Sequence, residues 1–194
     1  MADLDHGGSG TTVDAGTLGT VDGVVLDEPL LPLDSAGVVQ RYEAMVYGIA
    51  LTHTRCRGDA DDVFQDVFLT YHRRRPECRS EDHRKAWLIT TTLNCARAVT
   101  RSSWRTRVVP LNAQDAGELP AQFSFATDEQ NVVFRALRSL PDTYRSVLHL
   151  FYFEDLPVAR IAELLGLEAG AVKMRLSRGR GLMRDKLQGG LFDE

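Results

Sequence analysis

The chain has 194 residues, 43% of them hydrophobic, and a formal net charge of -4 at pH 7, which suits one or two small globular domains. It contains neither an apolar run near the roughly 20 residues of a membrane helix nor the basic and apolar start of a signal peptide, so we expect neither membrane insertion nor export. Its three cysteines, an odd number at irregular spacing, predict no disulfide framework and favour a reducing cytoplasm.

Residues 1–35 are predicted to be a disordered acidic tail. The first 38 residues contain seven acidic residues and no Lys or Arg, a net charge of -7, and they are rich in Gly, Asp and Thr. Such a composition without sustained periodicity is typical of disorder. The short apolar patches at 24–26 and 30–33 could dock on another surface, and the charge of the tail could shield a basic one.

Residues 36–107 are predicted to form a first domain of three helices. Apolar residues recur at helical spacing through the first helix and, more regularly, from Ala60 to Tyr71 in the second. Gly58-Asp59 between them offers a helix stop and then an N-cap. The third helix, at about 84–105, would bury Leu88, Ile89, Leu93, Ala96 and Val99.

Residues 108–129 are predicted to be a flexible linker, since they contain two prolines and a glycine and show no periodic stripe. A second helical domain is predicted at 130–188, followed by a short tail at 189–194. No part of the chain alternates apolar and polar residues as a strand would. We therefore expect an all-α protein of two small helical domains joined by a flexible linker.

The exposed face of the second helix carries three carboxylates and one amide: Asp61, Asp62, Gln65 and Asp66. An ordinary solvated face, a metal site or a docking surface for a basic protein would each explain this group. No His joins it at ligand spacing, so a metal site is poorly supported. Composition alone favours the solvated face.

One face of the third helix, with a neighbouring arginine, combines basic and hydrogen-bonding side chains with an aromatic ring: Trp87, Thr91, Asn94, Arg97, Arg101 and Arg105. The surrounding stretch is basic, since residues 69–110 hold ten bases and three acids. This mixture suits contact with the backbone and the unstacked bases of single-stranded DNA. For Trp87 alone, a place in the core at the start of a helix is an equally good explanation.

Residues 156–188 combine a short helix, a Gly-containing turn and a last helix at about 169–187, which is the pattern of a helix-turn-helix. The residues near the start of the last helix that would face DNA are Gly170, Lys173, Met174, Arg175, Ser177 and Arg178. Lys and Arg are the commonest partners of guanine in the major groove. The alternative is a solvated basic helix end, which the helix dipole also favours.

Together these segments resemble the bacterial sigma-70 family, in the small form of the extracytoplasmic-function (ECF) sigma factors. Residues 59–68 resemble the family's region 2.2, and residues 86–101 resemble the following segment, which opens and reads the minus-ten promoter element. Residues 140–148 and 161–178 resemble region 4, which reads the minus-thirty-five element. The resemblance covers about 36–187, which is nearly everything but the acidic tail.

The resemblance implies a promoter-specificity subunit that is not an enzyme and needs no cofactor. Its partners would be core RNA polymerase, through the beta-prime clamp helices and the beta flap, promoter DNA, and an anti-sigma factor. The acidic face of the second helix would grip the clamp helices, and Asn94 would contact an extruded minus-ten base. Because Ala98, Met174 and Ser177 depart from the side chains common in relatives, the promoter sequence cannot be transferred from one of them.

Two other functions fit parts of the sequence. A stand-alone helix-turn-helix regulator would read DNA with the second domain and sense or dimerise with the first. A zinc enzyme or redox sensor would have to use the scattered ligands His53, Cys56, His72, Cys78, His83 and Cys95. Only His53 and Cys56 form a tight pair among them, which is too few for a zinc site.

Overall fold

The computed structural model describes residues 33–106 and 128–189, and the side chains of 33–102 and 132–188. These residues form seven helices and no strand: α1 Ser35–His53, α2 Arg57–Arg74, α3 Glu81–Thr106, α4 Asp128–Arg138, α5 Asp142–Tyr152, α6 Val158–Leu165 and α7 Ala169–Gly189. The all-α prediction is therefore confirmed for this part of the chain. Most of the predicted acidic tail and linker lies outside the described residues.

The start of α2 differs from the sequence-based expectation. We expected Asp59 to cap the helix, but α2 begins at Arg57 and its N-cap is Cys56, whose Sγ accepts from the Asp59 backbone N–H at 3.5 Å. Asp59 thus lies in the first turn, where a carboxylate still favours the positive end of the helix. Gly58 is inside the helix rather than at a stop, so the prediction for this boundary was wrong.

α3 begins earlier than the apolar period indicated. Ser80 accepts from the backbone N–H of His83 at 3.1 Å and so caps the first turn. Glu81 follows inside the helix and is buried together with Arg84, with which it forms an ion pair. Glu81 also accepts a hydrogen bond from the Tyr42 hydroxyl. A buried carboxylate needs such partners, and this network fastens the start of α3 to α1.

The apolar stripes predicted for the first three helices do form a core. Helices α1, α2 and α3 pack pairwise, and we call them the first unit. The fully buried hydrophobic residues of this core are Val38, Val46, Ala50, Ala60, Val63, Val67, Leu88 and Ala96.

Helices α4–α7 form a second unit, in which α7 packs against α4, α5 and α6. α6 ends at Gly166, whose φ of 62° places it in the left-handed region that favours glycine. The chain turns there into α7, and the Leu167 N–H donates to the carbonyl of Ala162 at 2.8 Å. The predicted short helix, glycine turn and last helix are confirmed.

The two units pack against each other, which the apolar period did not predict. Ile49, Ile89 and Leu93, expected inside the first domain, are buried in one cluster with Val147 and Ile161 of the second. Helices α1 and α3 therefore contribute to two cores at once. We call this contact between the units the seam and the arrangement it holds the closed form.

Candidate protein-docking and nucleic-acid surfaces

On the acidic face of α2, Asp61 contacts other side chains of the protein, whereas the other three side chains are exposed. Asp61 accepts from the Tyr47 hydroxyl at 2.7 Å and lies 4.0 Å from Arg57. Burial, followed by this hydrogen bond, raises the pKa of Tyr47, so its hydroxyl stays a donor. Asp62, Gln65 and Asp66 are exposed side by side on the same helix. The structure thus brings the four predicted residues together, with Asp61 also serving the fold.

An apolar groove of about 420 Å³ adjoins this face. We call it the α1–α2 groove; its lining is Ser35, Ala36, Val39, Phe64, Gln65, Phe68, Leu69 and His72. Ser35 Oγ lies 2.9 Å from His72 Nδ1 and ties the start of α1 to the end of α2. The groove was not predicted from the sequence, although Leu69 lies outside the regular apolar stripe of α2 and is 46% exposed.

The predicted single-strand surface on α3 is only partly open. Asn94 and Arg101 are exposed and Thr91 is half-buried, whereas the side chain of Arg105 lies outside the described residues. Trp87 packs edge-on against Tyr71 with ring centroids 5.6 Å apart, so it belongs in part to the core.

Arg97 is engaged elsewhere in the closed form. Its Nε lies 3.2 Å from Asp142 Oδ2 of α5, in the other unit. A guanidinium held by a carboxylate cannot at the same time hold a phosphate with that Nε–H. The structure therefore separates Arg97 from the open part of the α3 surface, which the spacing of residues along α3 did not indicate.

Most of the residues predicted to face DNA on α7 are exposed. Gly170, Lys173, Met174, Ser177 and Arg178 are exposed, and Arg175 is half-buried. The buried side of the helix carries Val172 and Leu176. Five of the six predicted residues thus stand on one open surface at the start of the helix.

Gly179 sets the depth at which α7 sits on α5. A Cβ at this position would lie 2.9 Å from Leu148 Cδ1 and 3.4 Å from Tyr144 Cβ. Leu148 is itself buried. The absence of a side chain at Gly179 lets the two helices approach closely.

Asp142, at the start of α5, is the centre of the polar contacts across the seam. Its Oδ1 lies 2.8 Å from His53 Nδ1 and 3.7 Å from an Arg145 nitrogen, while its Oδ2 lies 3.2 Å from Arg97 Nε. Burial alone would raise the pKa of Asp142, but the hydrogen bond from His53 and the charge of Arg97 outweigh it and hold that pKa well below its ordinary range.

Burial acts in the opposite way on His53, because it lowers the pKa of the ring to about 4 against the partial opposition of Asp142. A neutral ring can still donate its Nδ1–H to the Asp142 carboxylate. Its Nε2 is buried and has no hydrogen-bond partner among the described residues, as suits an unprotonated nitrogen. His53 is therefore neutral near pH 7 and holds Asp142 as a hydrogen-bond donor.

Further polar contacts extend the seam on both sides of Asp142. Arg138 donates to the carbonyl oxygens of Thr54 and Arg55 at 3.1 and 2.8 Å. Lys85 donates to the Glu154 carbonyl at 3.2 Å, and Thr52 Oγ1 lies 3.0 Å from a ring nitrogen of His149. These pairs join residues far apart in sequence, and most of them close the two helix bundles on each other.

A second apolar groove, of about 520 Å³, lies on the far side of the second unit between α4, α5 and α7. Its apolar lining is Val133, Leu137, Leu148, Tyr152, Phe153, Met183 and Leu187, with Arg180 and Arg184 at its edge. Tyr152 and Phe153 are 52% and 41% exposed, which is unusual for large hydrophobic side chains grouped together. We call it the α4–α7 groove.

The described residues contain no group of three His, Cys, Asp or Glu side chains arranged to hold a metal ion. None of the helices in the described ranges is long and apolar enough to cross a membrane.

Comparison with family models places both units in one family. The model for sigma-70 region 2 matches residues 38–106, and the model for sigma-70 region 4 matches residues 130–183. The first match covers nearly all of the first unit, and the second match covers most of the second.

Two relatives illustrate the range of similarity. A probable RNA polymerase sigma factor, RfaY of Xanthomonas campestris, is 31% identical over 185 residues, which cover 87% of this chain but only 45% of that protein. The ECF RNA polymerase sigma-E factor of Haemophilus influenzae is 26% identical over 163 residues, which cover 78% of this chain and 86% of that protein. The chain thus spans less than half of the first relative and most of the second.

Two solved structures share the fold. CnrH, solved in complex with the cytosolic domain of CnrY, aligns with a TM-score of 0.55 at 22% identity over 80% of this chain and 88% of its own. The sigma factor RpoE of Bartonella quintana, solved in complex with the anti-sigma factor NepR, aligns with a TM-score of 0.65 at 20% identity over 81% of this chain and 96% of its own. At these identities the alignments support the fold alone.

Proposed function

The chain belongs to the sigma-70 family, and from this premise we propose that it binds core RNA polymerase and directs transcription initiation at particular promoters in the bacterial cytoplasm. The observation that carries the proposal is the presence, on one chain, of a region 2 unit with an open acidic face and a region 4 unit with an open basic recognition helix. We assign the chain no catalytic step and no cofactor.

The acidic face of α2 is the proposed docking surface for the beta-prime clamp helices. Asp62, Gln65 and Asp66 offer acceptors in open solvent, and a basic partner would be steered and oriented by them. The adjoining α1–α2 groove would add apolar area, with Leu69 at its edge. Asp61 would support the surface through Tyr47.

The α3 surface is the proposed reader of the opened minus-ten strand. Asn94 is exposed and carries both donors and an acceptor, which lets it recognise the edge of an extruded base. Arg101 is exposed about two turns further along the same face of α3 and suits a phosphate. Trp87, already packed on Tyr71, would contribute at most one face of its ring.

The start of α7 is the proposed reader of the minus-thirty-five element. Its exposed Lys173 and Arg178 lie near the helix N-terminus, the end that contacts base edges in helix-turn-helix proteins. A Cβ on Gly170 would meet nothing within 4 Å inside the protein, so open space there is available to DNA.

Promoter reading by both units requires the closed form to open. The two elements lie about 25 base pairs apart, or about 85 Å at about 3.4 Å per base pair. In the closed form α3 and α6 are in contact, so the two reading surfaces cannot be that far apart. The 21 residues between the described ranges could span about 70 Å when extended. Opening would also release Arg97 from Asp142 for the minus-ten strand.

The α4–α7 groove is the proposed site for the beta flap, since grouped exposed aromatic residues are typical of protein-docking sites. The solved relatives CnrH and RpoE were each captured with a second protein, in RpoE an anti-sigma factor. We infer that an anti-sigma partner regulates this chain as well, by favouring the closed form over the open one.

Run-off transcription with core polymerase on genomic fragments tests the proposal. Discrete transcripts that appear only when the protein is added would support it and would identify the promoter. The alternative, a stand-alone regulator, predicts tight and specific binding to duplex DNA in a gel shift without polymerase. Such binding together with no polymerase-dependent transcript would replace the proposal by that alternative.

A further inference from the structure

The α1–α2 groove lies where the acidic tail joins the first helix. Leu33, the first described residue, is half-buried and packs against the core of the first unit. Ser35, Ala36 and Val39, in the first turns of α1, form one wall of the groove. The start of α1 therefore lies at one edge of the groove.

The groove is open and mostly apolar. Its opposite wall is formed by Phe64, Phe68 and Leu69 of α2, and Leu69 is 46% exposed. Apolar patches of this kind on an otherwise charged helix are typical of binding sites.

The segment 24–32 has the sequence Val-Val-Leu-Asp-Glu-Pro-Leu-Leu-Pro, and its apolar side chains match the apolar lining of the groove. Leu31 lies two residues and Leu30 three residues before Leu33, so along an extended chain they can reach about 7 and about 11 Å from it. The groove wall from Phe64 to His72 rises about 12 Å along α2. The two leucines can thus reach most of the groove, and the flanking prolines favour an extended path.

We propose that residues 24–32 bind in the α1–α2 groove of their own chain and cover it. Because the segment is tethered at Leu33, its local concentration at the groove is in the millimolar range even for a weak contact. The groove shares Gln65 with the acidic face and adjoins Asp66. The regulatory consequence rests on the function proposed above: a bound tail competes with the clamp helices of polymerase for this surface.

Disulfide trapping tests the contact without polymerase. In the full chain, the three native cysteines are replaced by serine, which keeps the capping acceptor at position 56. The variant Leu31→Cys/Leu69→Cys is then compared with Leu31→Cys/Gln40→Cys. Gln40 is exposed on α1 close to the first described residue but does not line the groove. A disulfide requires the two Cβ atoms to approach to about 3.5–4.5 Å.

The proposal predicts that the Leu31–Leu69 pair closes about tenfold faster than the Leu31–Gln40 pair under mild oxidation, as judged by mass spectrometry. A tail that moves freely reaches both positions, so equal rates would overturn the proposal. Addition of Leu30→Ser should remove the difference, because it weakens the apolar contact without changing the reach of the chain.

Binding to core polymerase tests the competition. Leu30→Ser/Leu31→Ser in the otherwise unchanged full chain should lower the apparent Kd for polymerase about tenfold if the tail covers the groove about 90% of the time. Leu4→Ser/Leu18→Ser, the same change elsewhere in the tail, should leave the Kd unchanged. An equal Kd for both variants would refute the competition. If no variant binds polymerase, the proposed function fails, while the trapping experiment still decides whether the tail binds the groove.

Discussion

His53 Nδ1 of α1 donates to Asp142 Oδ1 of α5 at 2.8 Å, and this bond joins the end of the first helix of one unit to the start of the second helix of the other. The same carboxylate binds Arg97 of α3. One acidic residue thus links α1, α3 and α5, and it does so with an arginine from the proposed minus-ten surface. A group that competes for Arg97 or for Asp142 would therefore weaken the contact between the two units.

Loss of the Asp142 charge should loosen the seam. Asp142→Asn can keep one hydrogen bond but removes the ion pairs with Arg97 and Arg145. Because the Asp142 side chain is 41% exposed, we expect a modest loss, roughly 1 kcal/mol. Small-angle X-ray scattering should show a larger radius of gyration than in the wild type. Asp185→Asn, an exposed change on α7, is the matched control, and equal radii for both variants would contradict this role of Asp142.

Acidification should destabilise the closed form through His53. The folded pKa of about 4 lies below the ordinary 6.5, so the unfolded chain binds more protons than the folded one between these values. The stability contributed by a neutral His53 is therefore complete above about pH 6.5 and falls, by roughly 3 kcal/mol at most, as the pH drops to about 4. The lowered pKa of Asp142 adds a further loss only below its ordinary 3.8.

Urea unfolding at several pH values measures this effect. His53→Asn keeps a donor near the position of Nδ1 but cannot titrate, so its unfolding free energy should depend less on pH between 6.5 and 4. An unchanged slope in this variant would assign the acid sensitivity to other groups.

Charge reversal on the acidic face should abolish polymerase binding. Asp62→Lys/Asp66→Lys turns two exposed acceptors into bases and leaves Asp61 with Tyr47. We expect an unchanged circular dichroism spectrum and no measurable binding to core polymerase in fluorescence anisotropy. Asp185→Lys, elsewhere on the surface, should bind normally. Retained transcription by the double variant would disprove the docking assignment.

Truncation of the basic side chains on α7 should weaken reading of the upstream element. Lys173→Ala and Arg178→Ala are each expected to cost about 1–3 kcal/mol if the side chain pairs well with a base. The measurement is binding of the reconstituted polymerase complex to promoters with the natural and with a scrambled upstream element. An equal loss on both DNAs would mean that these residues hold phosphates.

A methyl group at Gly179 should disturb the packing of α7 on α5. The new Cβ would lie 2.9 Å from Leu148 Cδ1, and such overpacking costs about 1–3 kcal/mol. Gly181→Ala is the matched control, because a Cβ there meets nothing within 4 Å and alanine is the better helix former by about 1 kcal/mol. The same gain in helix propensity offsets part of the overpacking cost at Gly179, so Gly179→Ala should unfold at a lower temperature than Gly181→Ala, and equal shifts would contradict the close-approach argument.

The sequence by itself determined the helices and the direction in which most side chains point. A spacing of three and four residues selects one face of a helix whatever the helix packs against, so the exposed faces of α2 and α7 were predictable. The short turn at Gly166 was predictable for a similar reason, since a left-handed residue after a helix favours glycine. The start of α2 was not, because the cap depends on which nearby side chain reaches the first free N–H.

Only the tertiary structure decided which helices share a core and which polar groups meet. The helical period predicts that Ile49 and Ile89 are buried, but it does not indicate in which of the two cores they are buried. Asp142 reads as an ordinary acid at a helix start, yet two of its partners precede it by 89 and 45 residues. Such pairings arise when separate apolar faces are buried together, and burial then selects which charges find partners. That long-range step carries no local sequence signal.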